Sequence, residues 1–405
     1  MKIIRPLFIF TLAWVIYWAT AIWGGNTTSP QMAYFDHLAD AFRQGQLYLA
    51  NPPATHDLTQ FEGRWYVPFP PLPALLLLPW VMLRGLAATN TVLFSTLLGA
   101  LNVMLIYLLL DALSRRGWSQ LSTADNLWLT LLFGLGCVHW YMATLGSVWF
   151  VAQISTVTFV ALSVWLAVRY ESAWPASTAL AIALLARPNV IFTWPLLLGL
   201  QWMHTYPQKL SVLASLREPT IRHRVLRWTL TSAIPLGLAV ALLLGYNMAR
   251  FGDPLDFGYL TENVAQKLKP DLDRYGQFNL HYASKNLWAM WLALPIWDAN
   301  TSALTPDPEG MSLFITTPAL IYLLGARRRS PLVMGAWMAF ALLLAPLVLY
   351  YNTGWWQFGY RFSLDFMVPI MVLLAVGTGQ RMSWTMKGLI LVGVAVNAWG
   401  VTWWY

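Results

Sequence analysis

Two acid–imidazole neighbours stand early in the chain: Asp36-His37 in Tyr34-Phe35-Asp36-His37, and His56-Asp57 in Asn51-Pro52-Pro53-Ala54-Thr55-His56-Asp57-Leu58. A carboxylate can take the proton of an attacking hydroxyl, and an imidazole beside it can hold or pass one. On a helix adjacent side chains diverge by about 100°, so Asp36 and His37 do not form one dyad there. Asp36 then reads as a base, with Asp40 four residues on as a supporting or metal-binding group. His56 and Asp57 form a second cluster on a proline-stiffened turn. The plain alternatives are an Asp36/Asp40/Arg43 polar face and a turn capped by Thr55 or Asp57. Asp36, His37, His56 and Asp57 also have the ligand chemistry of Zn²⁺ or Mn²⁺, at spacings specific to neither. No cofactor is demanded, and a divalent metal is the open alternative.

The cations of interest are Arg187, Arg361 and Arg250. Arg187, between Ala186 and Pro188, interrupts an apolar stretch, where a charge must line a cavity or find a partner. Arg361 follows Tyr360 in Gly359-Tyr360-Arg361-Phe362; it can bind an anion, snorkel to the interface or pair with Asp365. Arg250 is a third anion ligand or a partner of Asp253. Around it, 246–259 and 274–282 interleave aromatic rings with Asn, Gln and His, a pattern that suits a sugar surface or a membrane-held loop.

Most of the chain serves to position these groups. Its 405 residues hold 25 basic and 17 acidic side chains, so 10% are charged, against about 25% in an average soluble chain. With 58% hydrophobic residues and a mean hydropathy of +0.53, it is neither soluble and globular nor disordered. Continuous apolar runs near ~20 residues argue against a β-barrel. Cys137 is the single cysteine, so no intrachain disulfide forms. The expectation is an all-α polytopic membrane protein, 1–405 as a single transmembrane domain.

Eleven spans are predicted: 6–24, 91–113, 126–145, 148–168, 174–187, 190–204, 228–248, 311–326, 331–351, 363–380 and 387–404. The first lacks an A-x-A-like cleavage site and reads as an uncleaved anchor. The fifth and sixth are short and flank Arg187-Pro188, as a broken pair. Residues 68–86 are apolar but carry Pro68, Pro70, Pro71, Pro73 and Pro79, and read as a juxtamembrane helix. The distribution of Lys and Arg tests that choice. With it, fifteen basic residues fall on the inner side, among them Lys2, Lys209 and Arg327 to Arg329; counting 68–86 as a span inverts the later ones. The net charge of +8 is thus topological and needs no nucleic acid.

Two outer loops are long enough to hold structure, 25–90 and 249–310. In the first, 33–44 reads as an amphipathic helix closed by Gly45, and Glu62-Gly63 as the turn of a small hairpin. The basic inner segment 204–228 faces anionic lipid headgroups.

This arrangement resembles the GT-C superfamily of membrane glycosyltransferases, within it the bacterial protein O-mannosyltransferase and aminoarabinose-transferase type. The resemblance rests on Tyr34-Phe35-Asp36-His37-Leu38-Ala39-Asp40-Ala41-Phe42, Gly45-Gln46-Leu47-Tyr48-Leu49, the 69–76 proline-rich helix, Ala186-Arg187-Pro188 and Phe358-Gly359-Tyr360-Arg361-Phe362. The chain departs from the family's frequent Asp-Glu pair at Asp36-His37. The resemblance implies a polyprenyl-phosphate sugar donor, a glycan, lipid or protein acceptor, and inverting transfer at the outer face of a bacterial cytoplasmic membrane, for the cell envelope. It further implies Asp36 as general base; Asp57 and His56, the second acid–imidazole cluster, are the next catalytic candidates. Arg187, Arg361, Tyr360, Arg250, His37 and Asp40 would then contact substrate. The competing class is a secondary transporter or lipid flippase using the Arg187 break. Such a transporter would repeat the break in both halves, and the sequence has one.

Overall fold

The computed structural model describes residues 4–206, 211–299, 302–327 and 330–403; Lys2, Lys209, Arg328 and Arg329 lie outside them. Its helices, in chain order, are α1 (Ile4–Trp23), α2 (Phe35–Arg43), α3 (Leu72–Arg84), α4 (Thr91–Arg115), α5 (Thr123–Leu135), α6 (His139–Ala143), α7 (Val148–Arg169), α8 (Ala173–Leu184), α9 (Trp194–Met203), α10 (Val212–Ser215), α11 (Pro219–Phe251), α12 (Lys269–Tyr275), α13 (Ala283–Trp291), α14 (Leu313–Thr316), α15 (Pro331–Leu349), α16 (Leu364–Gly377) and α17 (Trp384–Thr402). Two antiparallel hairpins join them, β1 (Thr59–Phe61) with β2 (Arg64–Tyr66) and β3 (Ile296–Asp298) with β4 (Ala303–Thr305).

Among the described residues six helices are long and apolar enough to cross a membrane: α1, α4, α7, α11, α15 and α17. By that measure the chain is an integral membrane protein. The other five predicted spans are helical but shorter or interrupted. The third breaks into α5 and α6, the sixth begins as a 3₁₀ turn at Pro188–Thr193, and the eighth is α14 followed by 3₁₀ turns over Pro318–Gly325. α16, at 14 residues, rises about 21 Å against the ~30 Å of a bilayer core. Eleven spans were expected, only the fifth and sixth of them short; proline at the heads of several segments shortens their regular part.

The proline-rich stretch forms a helix of 13 residues, α3. Ala74, Leu77 and Val81 face a small core made with Tyr34, Phe35 and Leu38 of the first loop and Val148 and Val151 of α7. Its other side presents Leu75, Met82 and Leu83. A helix about 20 Å long, apolar on both sides and packed on one, fits the juxtamembrane reading.

Inside the bundle, polar side chains satisfy one another because lipid cannot. Tyr17 donates to the Gly134 carbonyl at 2.6 Å and lies 3.1 Å from His139 Nδ1; Asn102 meets His139 Nε2 at 3.2 Å and accepts from Thr158 at 2.6 Å. α9 and α15 cross where Gly199 faces Gly335, and a Cβ on Gly199 would strike the Pro331 carbonyl. Small residues at such crossings let helices pack in lipid.

The segments assigned to one side of the membrane gather at one end. Asp57 N donates to Asn263 O and Asn263 N to Leu58 O, both at 2.9 Å, so the two long loops pair as strands. Phe278 bridges Tyr350 in the same way. Segments assigned to the other side meet at the other end, where Arg116 donates to Arg169 O at 2.7 Å and Trp118 packs on His204.

Candidate active site

The candidate site lies where the two loops meet the heads of the spans. Asp57 is held from several directions. Its backbone is left-handed (φ +55°), a conformation Asp tolerates at turns and one often found at functional sites. Tyr34, itself at φ +44° just before α2, is fully buried and donates to the carbonyl of His56 at 2.7 Å. Trp149, in the first turn of α7, donates from Nε1 to Asp57 Oδ2 at 2.9 Å. His56 Nε2 lies 3.6 Å from Asp57 Oδ1. Burial pushes the Asp57 carboxyl above the ordinary range, opposed by His56, the Trp149 bond and the charge of Arg361.

Arg187 sits between α8 and the 3₁₀ turn of Pro188–Thr193, as its interrupted sequence predicts. Its Nη2 donates to Asp365 Oδ2 at 2.7 Å; Asn189 also donates to that oxygen (2.8 Å), and Gln153 to Oδ1 (3.2 Å). Asp365 therefore serves Arg187, not Arg361 four residues before it. Arg361 is 5% exposed, makes no ion pair among the described residues, and its Nε has no hydrogen-bond partner. Its guanidinium lies 5.0 Å from the centre of the Phe362 ring and 5.9 Å from that of Trp149. Burial, then the charge of Arg187, push it down to about 10, still cationic at neutral pH. A buried cation without a carboxylate of its own is an expensive arrangement that an anion relieves.

Asp57, Arg187, Asn189 and Arg361 border one cavity of about 250 Å³. Its walls are largely apolar and aromatic, including Phe69, Trp149, Phe257 and Phe362. Glu262 also faces it and is 5% exposed. Its segment is bridged to β1 at Thr59, which sets it near Asp57. Burial first, then the charge of Asp57, hold its carboxyl well above the ordinary range, and the Tyr351 hydroxyl donates to it at 3.5 Å. The cavity thus offers two carboxyl groups of raised proton affinity, Glu262 the more strongly, and an unneutralised guanidinium. Together these can accept a proton from a hydroxyl while an anion is held nearby.

Of the sequence-predicted site residues, Asp57, Arg187 and Arg361 come together here, with His56 behind Asp57. Asp36 is buried in the first turn of α2, accepts from the backbone N–H of His37 at 2.8 Å and does not border the cavity. His37 does not border the cavity either, and Asp40 forms the intrahelical pair with Arg43 at 2.8 Å. Arg250, expected to bind an anion or Asp253, donates instead to the Val67 carbonyl (2.7 Å) and to Asn247 (2.8 Å), and stacks on Tyr246. Tyr360 is fully buried beside Phe362 and does not border the cavity. Among the described residues no three His, Cys, Asp or Glu side chains are grouped to hold one metal ion. Glu262, Tyr350 and Tyr351 were missed: nothing in Thr261-Glu262-Asn263-Val264 marks a site until that segment pairs with the first loop.

No protein-family model matches the chain, and no curated protein does. Among solved structures it is similar to the archaeal oligosaccharyltransferase AglB from Archaeoglobus fulgidus, in complex with an inhibitory peptide and a dolichol-phosphate. The two share 10% identity with a TM-score of 0.47, over 98% of this chain and 55% of that one. This chain spans about half the length of that protein.

Proposed function

We propose that this protein is an inverting, GT-C-type glycosyltransferase. It moves a sugar from a polyprenyl-phosphate donor to an acceptor hydroxyl at the outer face of a bacterial cytoplasmic membrane. The observation that carries the reading is that Asp57 and the uncompensated Arg361 face one aromatic-walled cavity at the end of an apolar bundle. The sequence resemblance supports the class of reaction, and the geometry favours Asp57 over Asp36 as base.

In this reading the acceptor oxygen attacks the anomeric carbon as the bond from that carbon to the phosphate oxygen breaks. The acceptor's proton goes to Asp57, and the bonding pair leaves with the polyprenyl phosphate, whose charge Arg361 takes up. Single displacement inverts the anomeric centre. Arg187 fixes the cavity wall through Asp365, and the aromatic rings suit a pyranose face. Glu262 faces the same space and can hydrogen-bond to a sugar or acceptor hydroxyl.

The test is to incubate the purified protein with a panel of short-chain prenyl-phosphate hexoses and pentoses and a cell-envelope extract as acceptor. Released prenyl phosphate is followed by mass spectrometry. Release by the wild type that Asp57→Asn abolishes is expected. If no prenyl phosphate binds or turns over, the reading fails.

A further inference from the structure

A second cavity, of about 360 Å³, opens at the opposite end of the bundle, between the turn before α8, the end of α9 and the first turns of α11. α8 relates the two sites: Ala173 borders this cavity, while Ala186 and Arg187, just past the helix's other end, border the first. Twelve residues of helix separate them by about 18 Å.

Arg224 and Arg227, one turn apart on α11, line this second cavity opposite Gln201 and His204. The opposite wall is already fixed. Gln201 donates to the Tyr170 carbonyl and His204 Nε2 bonds to the Ala167 carbonyl, both at 2.9 Å. Among the described residues neither arginine makes an ion pair: Glu171 borders the same cavity but lies beyond ion-pair reach. Two guanidinium forks on one side of a helix, with no carboxylate to hold, match the oxygens of a phosphate.

The surface beyond the cavity identifies what carries that phosphate. Ile234 and Leu238 follow Arg227 by seven and eleven residues, which puts them within about 20° of its direction around α11. They are 58% and 62% exposed, and Leu230, one turn closer, is 62% exposed. An aliphatic stripe thus runs from the arginines toward the middle of the bundle. A soluble phosphate has no use for it, whereas two acyl chains do. Buried Trp228, at the cavity's edge, suits the level where headgroup meets chain.

We propose that this cavity binds the phosphate headgroup of an anionic phospholipid, whose acyl chains lie along the exposed stripe of α11. The headgroup bridges α8, α9 and α11. Basic pockets between spanning helices are where such headgroups are held. This site is independent of the glycosyl-transfer reading and stands or falls without it.

Native mass spectrometry of the full-length protein in detergent tests the site. The probes are phosphatidylglycerol and phosphatidylcholine of matched chains, with inorganic phosphate as competitor. The wild type should retain one phosphatidylglycerol, preferred over phosphatidylcholine by about 10- to 30-fold. Arg224→Gln/Arg227→Gln should lose the preference. Glu171→Gln, which removes the cavity's one anion, should strengthen retention, a gain that misfolding cannot produce. Equal retention by the double variant, or no preference in the wild type, overturns the proposal. Displacement of the lipid by equimolar inorganic phosphate would assign the site to a soluble phosphate and overturn the lipid.

Discussion

Arg187 and Asp365 are joined at 2.7 Å across 178 positions of chain. The pair closes the break between α8 and the following 3₁₀ turn onto the head of α16. It also neutralises one of the two cavity guanidiniums and leaves Arg361 as the other. The two arginines therefore divide the work: Arg187 holds the wall, and Arg361 is available to a ligand.

Arg187→Ala strands the Asp365 carboxylate, whose side chain is 1% exposed. Removing one partner of a buried pair costs about 3–5 kcal/mol, while replacing both with apolar groups is often neutral. Thermal unfolding in detergent should show a large loss for Arg187→Ala and most of it recovered in Arg187→Met/Asp365→Leu. A single variant as stable as the wild type would remove the structural role.

Arg361→Gln should behave in the opposite way. It abolishes a buried charge that makes no ion pair among the described residues, so stability should hold or rise. Donor affinity should fall by about 10- to 100-fold, the worth of a hydrogen bond to a charged group. Titration with a prenyl phosphate, alongside the unfolding curve, separates the two. Unchanged donor affinity would leave Arg361 without a ligand role.

Asp57 and Asp36 make distinct predictions. Asp57→Asn should keep the fold and donor binding but lower turnover by at least about 10²-fold, the usual contribution of a general base. Asp36→Asn keeps its hydrogen bond to the His37 N–H and should retain most activity. Single-turnover assays of the two variants decide between them, and full activity in Asp57→Asn would return the role to Asp36.

How much of this was legible in the sequence varies by the range of the interaction. Apolar runs fix the helices, and prolines at 70–73 fix a short one, because both are local effects. The placement of Arg187 followed from the cost of a charge in an apolar stretch, which needs no partner to be known. Its partner, Asp365, was noticed only as a neighbour of Arg361, since four residues is a visible spacing and 178 is not. Asp36 is more legible in the sequence than Asp57 because it stands on a helix with a readable face. The left-handed turn and the Trp149 bond that aim Asp57 depend on segments far away in sequence. Glu262 had no local mark at all; only the pairing of Thr59 with its segment brings it to the cavity.

The carboxyl pair gives the pH dependence a direction. In the proposed reaction Asp57 acts ionised, and burial raises its proton affinity, so the rate should fall on acidification at a pH above that of an ordinary Asp, about 3.9. Burial, then the charge of Asp57, raise the proton affinity of Glu262 further. As pH rises it ionises beside Asp57 and repels the donor phosphate, so the rate should fall again on the alkaline side. Glu262→Gln should keep the acid limb and lose the alkaline one. Stability should follow the same group. Because the folded state holds the Glu262 proton more tightly than the unfolded chain, stability is full below the unfolded value, about 4.3, and declines as pH rises through the folded one. Thermal unfolding across that window should slope downward in the wild type and less steeply in Glu262→Gln, where the raised Asp57 still contributes. An alkaline limb that survives in Glu262→Gln, together with an unchanged unfolding slope, would show that Glu262 does not titrate in the cavity and that Asp57 works alone.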